Sequence, residues 1–164
     1  MKLTAPGLLA LGLALAACGP QDGPVTTRPT TIGASDSAQA GDVTRDALAR
    51  INDYRAQAGA PPLRLDATLA RVASAHATEM FTSGRFSHTG ADGSSVGDRV
   101  RRAGYGFCFV AENIAQGPSG VDEVLSGWMQ SPGHRRNMLN PQADGVGLAR
   151  RGDLWVMVLG RPGC

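Results

Sequence analysis

The sequence predicts an α+β fold, a small sheet covered by helices. Two observations carry this. Four segments show helical periodicity and capping signals, whereas only three stretches read as extended, too few to enclose a core alone, so helices must cover them. The second is composition. A hydrophobic fraction of 42% supports one ordinary core, and 22 Gly with 10 Pro predict many turns around it.

The elements follow in order. Asp42 is a good N-cap for a first helix over 43–58, in which Val43, Ala47, Ile51, Tyr54 and Ala58 fall at helical spacing before Gly59 and Pro61-Pro62 stop it. Asp66 caps a second helix that runs to Ser83, with Leu69, Val72, Ala73, His76, Met80 and Phe81 along one stripe and Gly84 placed to end it. Ser94 or Ser95 begins a short third helix to Ala103, closed by Gly104. The stretch 107–115 is mostly apolar and extended. Ser119 is expected to cap a fourth helix over 121–130 with Val124, Leu125 and Trp128 inward; Pro132-Gly133 breaks it, and 134–139 is expected to add a turn. Two strands, 145–150 and 154–161, flank Arg151-Gly152-Asp153, a hairpin signal.

The N-terminus reads as an address. Met1 and Lys2 precede the uncharged apolar run 8–17, which is too short to span a bilayer permanently but fits the core of a secretory signal. It ends in Leu15-Ala16-Ala17-Cys18, which resembles the lipobox of bacterial lipoproteins, so residues 1–17 are expected to be removed and Cys18 acylated. Ala14-Leu15-Ala16 also offers an ordinary cleavage site. Gly19 follows the cysteine, so sorting to the outer membrane is expected if the host has one. Residues 18–41, rich in Pro, Thr, Gly, Ser, Ala and Gln, bury too little to offset their ordering entropy and read as a tether. The folded part is then 42–164. Export favours a disulfide between the two remaining cysteines, Cys108 and Cys164; the long loop so closed corresponds to about 4 kcal/mol in the chain-entropy model.

Sixteen Lys+Arg against 14 Asp+Glu give a net charge of +2, which does not point to nucleic acid as a partner. The cluster Arg99, Arg101 and Arg102 reads as the solvated face of a short helix.

Several ordered segments carry a resemblance. They are Ile51-Asn52-Asp53-Tyr54-Arg55, Leu63-Arg64-Leu65-Asp66, Ala75-His76-Ala77 with Met80, Phe86-Ser87-His88, Glu112-Asn113-Ile114-Ala115, and Gly127-Trp128 followed by Ser131-Pro132-Gly133-His134-Arg135. Together they resemble the bacterial branch of the CAP superfamily, the cysteine-rich secretory, antigen 5 and pathogenesis-related proteins with an SCP-like domain. The resemblance spans about 47–160 and implies a three-layer α-β-α sandwich with a small, mostly antiparallel central sheet flanked by about four helices. It also implies a cleft with two His and two acidic residues that in some members binds a divalent metal. Here His88, Glu112 and His134 match three of the four, and Ser131 stands where the second acid would be.

Read as residues, two imidazoles and a carboxylate are able to hold a zinc ion with an open position, or to orient a water. His88 sits in a Gly- and Ser-rich loop, Glu112 needs a partner in an apolar run, and His134 has the alternatives of capping a turn or pairing with an acid. Asn113 is expected to hydrogen-bond backbone and shape the cleft; His76, Trp128 and Trp155 read as core. Ser87, Ser94, Ser95 and Ser131 lie in no nucleophile elbow, and paired cysteines leave no thiol nucleophile. Arg135, Arg136 and the Arg99–Arg102 group favour an anionic ligand. The leading expectation is a membrane-tethered binding module for a small apolar or anionic ligand, such as a lipid or glycan. The alternatives are a metal-dependent or His/Glu-assisted hydrolase of envelope peptides or glycans, and a structural or adhesion protein with a vestigial cleft that meets a protein partner.

Overall fold

The computed structural model describes the backbone of residues 34–163 and side chains from 44 to 163. Nine elements follow one another: α1 (Ala34–Gln57), β1 (Arg64–Leu65), α2 (Ala67–Ser83), α3 (Val96–Arg102), β2 (Phe107–Gln116), α4 (Val121–Gln130), α5 (Pro132–Met138), β3 (Gly145–Arg151) and β4 (Leu154–Pro162). The sheet has the order β1-β3-β4-β2; β3–β4 and β4–β2 are antiparallel, and β1 runs parallel to β3. Helices cover both faces, the expected three-layer sandwich.

The layering follows from alternation along β4, which is buried on both sides. Trp155, Met157 and Leu159 face a core shared with Ile51 of α1, Val124, Leu125 and Trp128 of α4, and Met138 of α5. Leu154, Val156 and Val158 face Leu69, Val72, Ala73, Ala77 and Met80 of α2, with Val100 of α3. A strand sandwiched this way needs apolar side chains at every position, and Leu154–Leu159 supply them.

Local chemistry sets most boundaries where the sequence puts them. Asp66 accepts from the Thr68 and Leu69 amides at 2.8 and 2.9 Å, and Gly84 takes the left-handed conformation (φ 65°) that ends α2. Ser95 and Asp98 close a capping box on α3.

Five expectations change. α1 begins at Ala34, inside the segment assigned to a tether, because the Ala-containing stretch continues the helix instead of stopping at Asp42. Residues 132–138 form a full short helix, since Pro132 suits the first position of a new helix as well as the end of the old one. Gly120, not Ser119, is the N-cap of α4; the Ser119 amide and hydroxyl both donate to the Glu123 carboxylate. Phe81 lies half exposed beneath the Arg151 guanidinium instead of in the core. Finally, β1 is too short to give a periodic signal, and is held by Asn52, whose side chain bonds both backbone groups of Leu63.

Arg55 explains how the first layer closes without a sheet. It is fully buried, and it donates to the carbonyls of Pro61, Met138, Asn140 and Ala143 at 2.7–3.1 Å. One guanidinium therefore joins the loop after α1 to the α5–β3 connection, and burial lowers its pKa. Cys108 lies half-buried on β2. Cys164, Cys18 and residues 1–33 lie outside the described residues, so the 108–164 disulfide, the signal peptide, the acylation site and most of the tether stand as expectations. Among the described residues no helix is long and apolar enough to cross a membrane.

Gly147 lets α2 lie directly on β3: a Cβ there would fall on the backbone of Leu69 and Ala70. Gly147→Ala is therefore expected to lose about 3 kcal/mol, an overpacking cost that the helix backbone cannot relieve. Urea denaturation measures it, and an unchanged midpoint would show that α2 yields.

Candidate functional site

The site is built around two consecutive residues of β2, the strand at one edge of the sheet. Because side chains alternate across a strand, Glu112 points to the α2–α3 layer and Asn113 to the layer of α1, α4 and α5.

Glu112 is almost fully buried. Its Oε2 accepts from the Arg99 guanidinium of α3 at 2.7 Å, and its Oε1 accepts from His88 Nδ1 at 2.8 Å. Since a carboxylate oxygen is an acceptor, Nδ1 carries the proton and His88 Nε2 is left for a ligand. The His88 side chain is 57% exposed, so the pair joins a buried carboxylate to a solvent-facing imidazole. Arg99 also donates to the carbonyls of His88 and Ser94, at 3.1 and 2.9 Å. His76, on α2 beneath the site, is the buried and satisfied histidine that the sequence suggests: its Nε2 donates to the Ser87 carbonyl at 2.9 Å. Buried side chains from two helices thus hold the carbonyls of Ser87 and His88, and fix how His88 is presented.

Asn113 is fully buried on the opposite side, where its amide donates to the His134 carbonyl at 3.1 Å and its oxygen accepts from Asn137 at 2.9 Å. Asn137 also reaches the Glu112 carbonyl, at 3.2 Å. This ladder sets α5, and hence His134, against β2. The Trp128 indole donates to the Ile114 carbonyl and lies 6.5 Å from the His134 ring. Burial lowers the His134 pKa below 6.5, and the nearby charge of His88 lowers it further. Ser131 is the junction of α4 and α5: its amide ends one helix and its carbonyl accepts from Arg135 to start the next.

The structure therefore joins His88 to Glu112 directly, brings His134 within electrostatic reach of His88, and gives Asn113 the backbone-bonding role expected of it. It does not assemble the three as metal ligands. Among the described residues no group of three or more His, Cys, Asp or Glu side chains is disposed to hold a metal ion. Both Glu112 oxygens are engaged, one by a guanidinium whose charge opposes a cation. Two imidazoles remain, fewer than the three protein ligands of a catalytic zinc site. Arg99 is the correction that matters most. The sequence places it on a solvated helix face, but its side chain is 9% exposed and is the counter-ion of Glu112. The available signal was the lone Glu112 in an apolar strand, which had to find a cation. Asn137 carried no signal at all.

The comparisons with known proteins agree with this architecture. The sequence profile of the cysteine-rich secretory protein family, CAP, matches residues 48–153, and the chain belongs to that family. It is similar to the uncharacterized protein YkwD of Bacillus subtilis, 31% identical over 134 residues that make up 80% of this chain and 52% of that one. It is also similar to the uncharacterized membrane protein YlbC of the same organism, 34% identical over 102 residues, 61% of this chain and 30% of that one. The chain thus spans about half the length of the first relative and less than a third of the second. An extracellular SCP-domain protein of Bacillus anthracis superposes with a TM-score of 0.69 at 32% identity, over 71% of this chain and 39% of that one. An outer surface protein of Borrelia burgdorferi shares the fold, with a TM-score of 0.70 at 23% identity, over 74% of this chain and 94% of that one.

Two outcomes are expected. Arg99→Leu strands a buried carboxylate and should cost about 3–5 kcal/mol, part of which returns when Glu112→Leu is added; urea denaturation of the single and double variants reads this. If the double variant is no more stable than Arg99→Leu, the pair is not what compensates Glu112. In the folded protein His134 should titrate below 6.5, and His88→Ala should move it part of the way back, as read by NMR of the imidazole protons. The sign for stability follows: the unfolded chain binds this proton more readily, so His134 contributes a loss of stability as pH falls from about 6.5.

Proposed function

We propose that the protein is an exported, lipid-anchored binding module that uses the cleft between His88 and His134 for a small apolar or anionic ligand. One observation carries the reading: the Glu112 carboxylate is engaged on both oxygens. A base or metal ligand must be reached by something that arrives, whereas Glu112 is almost fully buried beneath His88 and Arg99 and serves to orient His88. What faces a ligand is then the His88 Nε2 and, from the other layer, a His134 imidazole kept neutral by burial. Arg135 and Arg136 follow on α5 without a carboxylate partner among the described residues, which supports an anionic group on the ligand.

Export and anchoring rest on the signal-like run, the lipobox-like Leu15-Ala16-Ala17-Cys18 and the expected Cys108–Cys164 disulfide. Register supports that reading as far as it goes: Phe107, next to Cys108, pairs with Pro162. The extracellular and outer-surface proteins of like fold agree with an extracytoplasmic domain. Sorting to the outer membrane is proposed for a host that has one.

Zinc calorimetry tests the cleft. Weak binding, no stronger than about millimolar and no different in His88→Ala and His134→Ala, is expected. Near-stoichiometric zinc lost in both variants would overturn the reading in favour of a metal-dependent hydrolase. The anchor is tested by fractionating cells that express the full chain: wild type should sediment with membranes, and Cys18→Ala should move to the soluble fraction. An unchanged distribution would end the lipoprotein assignment.

A further inference from the structure

A cavity lies between α2 and α3, with a volume of about 550 Å³, in the range of small-molecule sites. We propose that it is a ligand site in its own right and takes a small amphiphilic anion, a carboxylate or phosphate monoester on a short apolar body. It is independent of the His88–His134 cleft, although Arg99 borders both.

Its charged groups can be accounted for one by one. Of the acids that line it, Asp92 accepts from the Ser94 hydroxyl, from the Ser94 amide at 2.9 Å and from Arg102 at 2.6 Å. Glu79 gives one oxygen to the Ala91 amide and has the other beside His76 Nδ1. These bonds hold both carboxyls below the usual carboxylate range, so they are already compensated anions. One cationic group is not used up in the same way. Arg71, on the exposed side of α2, bonds only the Ala67 carbonyl and the Thr68 hydroxyl of its own helix, so its charge meets no carboxylate among the described residues. Arg99 is committed elsewhere: its terminal nitrogens go to carbonyls and to Glu112, and its Nε is buried. A cavity wall with an uncompensated guanidinium suits an anionic oxygen. The rest of the lining, Val72, Ala75, Ala91 and Ala103, is small and apolar, and fits a short hydrocarbon body in place of a fully hydrated ion.

The test is calorimetric titration of the purified protein with octyl phosphate and with octanoate, both below their micelle-forming concentrations, beside inorganic phosphate and octanol as the separate halves. One saturable site is expected for at least one of the two amphiphiles, at least tenfold tighter than for either half. Which one binds distinguishes phosphate from carboxylate. Ala75→Trp fills the cavity from an exposed helical position and should abolish binding. Arg71→Glu should weaken it at least tenfold, and Arg161→Ala, which removes a surface charge elsewhere, should stay within twofold of wild type. Thermal melting checks that Ala75→Trp folds; if it does not, Arg71→Glu decides. No saturable binding, equal binding of inorganic phosphate, or indifference to Arg71→Glu would overturn the proposal. Failure of the zinc or fractionation tests would leave it standing.

Discussion

The buried carboxylate of Glu112 constrains more of this molecule than any other group. A charge in the α2–α3 layer is tolerated only with a cation and hydrogen bonds around it, and these come from three separate segments. Arg99 brings α3 to β2, His88 brings the tip of the α2–α3 loop, and His76 lies below with its Nε2 3.9 Å from the same carboxylate. A long loop without regular structure is thereby fixed by buried polar contacts where an apolar core is lacking. The arrangement that satisfies the charge is also the one that presents an imidazole to solvent.

Asn113 does the complementary work on the other face. Its two-way hydrogen bonding to the His134 carbonyl and to Asn137 ties α5 to the same strand. The dipeptide Glu112-Asn113 therefore works as a hinge pin between layers: one residue organises the helices on one face, its neighbour those on the other. Arg55 plays a similar part away from the site, replacing strand pairing with four carbonyl contacts. Polar groups close this small domain where its four-stranded sheet is too narrow to do so.

Legibility in the sequence followed the range of the interaction. α2 was readable from end to end because Asp66, the 3.6-residue stripe and Gly84 are local signals. The hairpin of β3 and β4 was readable from two apolar runs around Gly152. The start of α1 was not, because Asp42 is a good cap that the chain does not use. β1 was not, because two residues paired to a strand about 80 positions away leave no pattern. Within the site, His88, Glu112, Asn113 and His134 were found through their motifs, whereas Arg99 read as surface because helical periodicity alone put it beside Arg101 and Arg102.

By itself the sequence determined the class of fold, the family, most helix limits and four polar residues of the candidate site, His88, Glu112, Asn113 and His134, since each is encoded in local spacing or in a short motif. The tertiary structure decided what those residues do. Whether Glu112 is an available base or a committed partner depends on which side chain comes within 3 Å of each oxygen, and that partner, Arg99, belongs to another layer element. Contacts of that kind are fixed by packing two layers on one sheet, and no local pattern records them.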